Sequence, residues 1–110
     1  MEQNQNPKAD EIQRAKRFVF RANDFYELLE AQKFKCKYSG RTLNPSNCVA
    51  EHILPLRQRG QHELPNIVLV DAEVAYLKRY LTDDEVLKLA IDIVNQVGQA
   101  NGFRVARRKV

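Results

Sequence analysis

Glu51-His52-Ile53-Leu54-Pro55-Leu56, followed by Gly60, His62, Asn66 and the run Ile67-Val68-Leu69-Val70, is the stretch that decides the fold. Cys48 to Leu54 reads as a strand ending at Pro55, which has no amide hydrogen to give to a ladder. The β-branched, apolar run 67–70 reads as the return strand. The polar connection around Gln58-Arg59-Gly60-Gln61-His62 is too long for a two-residue turn, so a distorted hairpin is expected. Neighbours on a strand face opposite ways, so Glu51 and His52 diverge. A carboxylate there can hold a divalent cation, and a neutral imidazole beside it can take a proton from water. A lone acid-histidine pair also has an ordinary meaning, as surface or structural residues.

Outward from the hairpin, Asp71 to Leu81 predicts a short helix. Thr82-Asp83-Asp84-Glu85 has the form of a capping box, with Thr82 as the N-cap and acids suited to the helix dipole. The helix it opens carries Val86, Leu89, Ala90, Ile93, Val94 and Val97 on one face, with Gly98 as the expected stop. Upstream, Ile12, Ala15, Phe18, Val19, Ala22, Phe25, Tyr26 and Leu29 recur at three- and four-residue steps. They predict an amphipathic helix from Asp10 to Lys33. Residues 34–47 read as loop, with turns at Ser39-Gly40 and Asn44-Pro45-Ser46-Asn47. The expected organisation is a disordered lead-in over 1–9, one domain over 10–98 and a basic tail over 99–110, in which 103–107 is either an edge strand or mobile.

The 110 residues are 44% apolar and 29% charged, which excludes a wholly disordered chain. No apolar run approaches the roughly 18 residues a membrane span needs, and the polar N-terminus lacks a secretory apolar region, so a cytoplasmic location is the default. Cys36 and Cys48 are too few for a disulfide framework and read as reduced thiols. The net charge of +4 equals the four cations of the tail, Arg104, Arg107, Arg108 and Lys109. Lys33, Lys35, Lys37 and Arg41 form an acid-free cluster, and Arg57 and Arg59 follow the Glu51-His52 pair. Positive charge near such a pair suits a phosphodiester, although charged faces are often simply solvated.

The series E-H-x-x-P-L-x-x-x-G-x-x-x-x-x-N-I-x-L-V over 51–70 resembles the HNH endonucleases, the ββα-metal nucleases. Cys36-Lys37-Tyr38-Ser39-Gly40-Arg41-Thr42-Leu43 is similar to the family's lead-in, and Leu81-Thr82-x-x-Glu85-Val86 to its follow-on helix, so the likeness covers about residues 34–97. It implies an α+β fold: a small ββα-metal (HNH, His-Me finger) core flanked by an N-terminal and a C-terminal helix. It also implies a metal-dependent endonuclease acting on DNA, with RNA left open, and no membrane partner.

By this resemblance Glu51 ligates the metal, His52 is the general base, and Asn66 ties the loop and helps orient His52. The second metal ligand, a His or Asn in the family, falls nine residues after Asn66, at Ala75. A methyl group cannot coordinate a cation. Asp71, one helical turn earlier, is open to two roles, a substitute ligand or a helix N-cap. An oxygen-rich site favours Mg²⁺ or Mn²⁺, with Ni²⁺ or Zn²⁺ as further candidates. The family's two Cys pairs for structural zinc map onto Cys36, Ser39, Asp71 and Val74, and one thiol in four positions predicts no structural zinc. The implied nucleic-acid contacts are Arg57, Arg59, Lys35, Lys37 and Arg41. His62 is read as a phosphate or leaving-group contact or as an ordinary surface histidine, and Lys78, where the family often has a Lys, as an open candidate for phosphate contact. Two functions follow: an endonuclease weakened or inactivated at Ala75, or an HNH scaffold that binds nucleic acid without cutting it.

Overall fold

The computed structural model describes residues 18–109, a mixed fold of helices and one two-stranded antiparallel sheet. The chain order is α1 (Ala22–Ala31), β1 (Cys48–His52), β2 (Ile67–Asp71), α2 (Ala72–Lys78) and α3 (Asp83–Ile93). In register, Cys48 pairs with Asp71, Glu51 with Val68 and His52 with Ile67. One face of the sheet therefore carries Cys48, Ala50, His52, Ile67 and Leu69. The other carries Val49, Glu51, Val68 and Val70. Phe20 and Phe25 lie against the first face, beside Ala50, His52 and Cys48, and α2 covers the second.

The buried cluster is Cys36, Leu43, Val68, Leu69 and Val70. β2 is its centre, since Leu69 and Val70 are fully buried and each contributes about 1.5–3 kcal/mol relative to an exposed side chain. A two-stranded sheet leaves an outer edge of unpaired backbone groups. Here the Gln32 side-chain amide closes that edge like a short third strand. Its Nε2 donates to the Leu69 carbonyl at 2.9 Å, and its Oε1 accepts from the Leu69 amide at 2.9 Å.

Several boundaries differ from the sequence expectation. The first helix begins at Ala22, because Phe18 to Arg21 are not helical. Arg21 is extended at φ −111°, and its amide donates to Asp24. Residues 10–17 of the expected helix, and the lead-in before them, lie outside the described residues. The helix ends before Lys33, since Lys33 and Phe34 both have positive φ. β1 ends at His52 rather than Leu54, because Asn66 captures the backbone of Leu54 in place of a ladder partner. α2 ends at Lys78 rather than Leu81, with Arg79 at φ 33° breaking it.

The Thr82 capping box forms as expected, with Thr82 Oγ1 accepting from the Glu85 amide and the Glu85 carboxylate accepting from the Thr82 amide. Gly98 does not stop α3. It keeps helical dihedrals, and the chain continues through a wider turn to Asn101. Gly102, at φ 83°, supplies the left-handed residue that ends the run. The stop moved because Phe103 donates back to the Gly98 carbonyl, a bond that needs the reversal at residue 102. The tail from Phe103 to Lys109 forms no strand. Among the described residues no helix is long and apolar enough to cross a membrane.

Candidate active site

One side chain, Asn66, bonds the connection between β1 and β2 at three points. Asn66 Oδ1 accepts from the Leu54 amide at 2.8 Å, and its Nδ2 donates to the carbonyls of Leu54 at 3.0 Å and Gln61 at 2.8 Å. Only an amide both gives and accepts in this way. Gly60 closes the same loop. A Cβ there would lie 1.8 Å from the Leu54 carbonyl oxygen, so no other residue fits without moving the backbone. Asn66 thus acts on the loop backbone that follows His52 and not on the imidazole itself.

At the end of β1 the two neighbours diverge as strand geometry requires. Glu51 lines a cleft with Val49, Ala72, Ala75, Tyr76 and Arg79, directly under α2. The helix position expected to carry a ligand does face Glu51, and it presents a methyl group. Burial pushes the Glu51 carboxyl above its ordinary value, while Lys78 and Arg79 act in the opposite sense. His52 lines a second cleft with Phe20, Ala50, His62 and Ile67, which Glu51 also borders, and its Nε2 lies 2.9 Å from His62 Nδ1. His62 is itself packed against the Phe18 ring, with centroids 5.2 Å apart. Burial first, then the charges of His62 and Lys78, holds His52 below its ordinary pKa, which favours the neutral imidazole that a base must be.

Asp71 takes the cap role. Its Oδ1 accepts from the amides of Glu73 and Val74 at 3.1 Å each, and its Oδ2 accepts from Ser39 Oγ at 2.6 Å. It sits three residues along β2 from Val68, the partner of Glu51. At about 3.3 Å per residue that is about 10 Å, and the odd count puts the two on opposite faces. One ion cannot be shared by both, so Asp71 is not a substitute ligand for the Glu51 cleft.

Cys36, Ser39, Asp71 and Val74, the positions mapped onto zinc-binding cysteines, do converge. Hydrogen bonds close the corner: Ser39 to Asp71, the Ser39 amide to Cys36 Sγ at 3.5 Å, and the Val74 amide to Asp71. Arg41 adds an ion pair to Asp71 at 3.6 Å and another to Glu73, so its guanidinium is already engaged.

Lys78 departs most from the phosphate-contact expectation. It is fully buried, and its Nζ donates to the carbonyls of Ile53 at 3.0 Å and Leu81 at 2.9 Å. It fastens the end of β1 to the segment after α2, so its ammonium is already engaged. Lys35, Lys37 and Arg59 are exposed, but none of them lines the clefts containing Glu51 or His52. Arg57 does line one. A third cleft, bounded by Glu51, His52, Pro55, Leu56, Arg57, Arg79 and Tyr80, brings the acid and the histidine to one opening. Arg79 and Tyr80 belong to no motif and in the sequence read as ordinary residues of a helix running to Leu81.

Among the described residues no group of three or more His, Cys, Asp and Glu side chains is arranged to hold an ion. One carboxylate opposite Ala75 does not make the closed tetrahedral site of a soft metal. Among the described residues Glu51 is the one carboxylate lining the cleft under α2. Comparison of the chain with protein-family models and with curated proteins gives no match. The functional assignment therefore rests on the motif and on the geometry above.

Proposed function

We propose that this chain is an HNH-type ββα nuclease module acting on the phosphodiester bonds of DNA. The observation that carries the proposal is the placement of Glu51 and His52 at the end of β1. Glu51 faces the Ala75 position of α2, and His52 opens onto a cleft shared with Arg57 and Arg79. In this reading His52 takes a proton from the attacking water, and Asn66 fixes the loop that frames the cleft. Glu51 would hold the divalent ion, Mg²⁺ or Mn²⁺, from the β1 side of the cleft. When bound, the ion offsets charge on the phosphate and the leaving oxygen.

Ala75 favours a second reading, in which the same surface binds nucleic acid without cutting it. Plasmid cleavage with Mg²⁺, Mn²⁺, Ni²⁺ or Zn²⁺ added singly, on the native chain and on Ala75→Asn, separates the two. Cutting by the native chain supports the nuclease. Cutting only by Ala75→Asn identifies a disabled ligand position on an intact site. If neither cuts while DNA binding persists, the binding module stands. RNA oligonucleotides in the same assay report on the choice of nucleic acid.

A further inference from the structure

The cleft of about 150 Å³ beside His52 is lined by Arg57, Arg79 and Tyr80 together with Glu51, Pro55 and Leu56. The Arg57 guanidinium lies 3.9 Å from the centroid of Tyr80, and that of Arg79 lies 5.7 Å from the same centroid. Stacking on an aromatic face fixes the plane of a guanidinium and leaves its N–H groups to point at a ligand. Neither arginine forms an ion pair with a carboxylate among the described residues, whereas Arg41 and Lys88 do.

The support behind the two arginines is specific. Gln58, next to Arg57, donates from Nε2 to the Tyr80 carbonyl at 2.8 Å and to Glu85 Oε1 at 3.0 Å, so the two segments are stapled together. Arg79 is held at φ 33°, ψ −97°, a backbone conformation that non-glycine residues rarely adopt. Such conformations persist where surrounding contacts over-determine them, and they cluster at ligand sites. Glu51 also borders the cleft and opposes an anion, but it is one carboxylate against two guanidinium groups.

Resting on the nucleic-acid reading above, we infer that Arg57 and Arg79, braced on Tyr80, form a clamp that seats a backbone phosphate beside His52 without a metal ion. Planar guanidinium pairs match phosphate oxygens in a bidentate way, which an ammonium does not. The clamp supplies fixed positive charge to the cleft that Glu51 and His52 share.

The test is fluorescence anisotropy with a short DNA duplex in EDTA, titrated over a range of salt. It compares the native chain with Arg57→Gln, Arg79→Gln, Arg57→Lys and the remote Lys88→Gln. Each Arg→Gln change is expected to weaken binding about tenfold and to reduce the salt slope by about one. Arg57→Lys should keep the slope and still lose affinity, and Lys88→Gln should match the native chain. A merely structural role for the stack would lower the Tm of the Gln variants and leave the slope unchanged. If the native chain binds with a salt slope that both Gln variants retain, the clamp is refuted and the nucleic-acid reading survives. If the native chain binds no duplex in EDTA but does so with Mg²⁺, the clamp is refuted in favour of the ion. If it binds under neither condition, both proposals fall.

Discussion

His52 Nε2 and His62 Nδ1 lie 2.9 Å apart, joining the end of β1 to the middle of the loop that leads to β2. His62 thereby fixes the ring that would act as the base. Replacing His52 with Ala is expected to lower DNA cleavage by about 10²–10⁴-fold in the presence of Mg²⁺ or Mn²⁺. His62→Ala should cost less, since it removes a positioning contact and not the proton acceptor. Single-turnover cleavage of a labelled duplex measures both. If cleavage by His52→Ala equals that of the native chain, another group is the base.

Lys78 is expected to matter for stability and not for DNA. In Lys78→Met the carbonyls of Ile53 and Leu81 lose their buried donor, at a cost of about 1–3 kcal/mol. Urea unfolding reads that loss, and the salt slope of DNA binding should stay that of the native chain. A slope reduced by about one would instead mark Lys78 as a phosphate contact.

Asn66→Asp keeps the size of the side chain and removes its two donated bonds, those to Leu54 and Gln61. The carbonyls would then face a carboxylate. The variant should lose about 2–3 kcal/mol of stability together with cleavage, because the loop framing His52 is untied. An unfolding midpoint equal to that of the native chain would show that Gly60 and the sheet hold the loop unaided.

Asp71 gives a pH signature. Burial alone would raise its carboxyl. The bonds from Ser39 and the Val74 amide, contact with Cys36 and the charge of Arg41 outweigh burial and hold it below the ordinary 3.8. A carboxyl whose folded pKa is depressed contributes stability that is complete above its unfolded pKa and is lost as pH falls through the folded value. Asp71→Asn, which keeps the cap acceptor but not the charge, should cost about 1–2 kcal/mol near neutral pH. The gap to the native chain should close as pH drops below 3.8, as followed by thermal unfolding across that range. A gap independent of pH would mean the charge contributes nothing.

Much of the local chemistry of the chain is legible in its sequence. The first strand ends at His52, ahead of Pro55, but Ile67 to Val70 lie in the second and Thr82 and Glu85 form their capping box. These are short-range consequences of residue type and spacing, which neighbours in sequence decide. Glu51 and His52 diverge for the same reason, because alternation is a property of any strand.

Tertiary structure decided what each polar group does once the elements meet. A lysine on a short helix reads as a phosphate contact until the carbonyls of Ile53 and Leu81 take its ammonium. An aspartate one turn from Ala75 reads as a spare ligand until register sets it on the far face, with Ser39 against it. Arg79 and Tyr80 gain meaning only because α2 breaks after Lys78 and turns them toward Arg57. Periodicity carries the path of the backbone, since it depends on neighbours in the chain. The partner of a side chain depends on residues many positions away, such as Lys78 with Ile53 and His52 with His62, and those distances are set only when the hairpin closes against its helices.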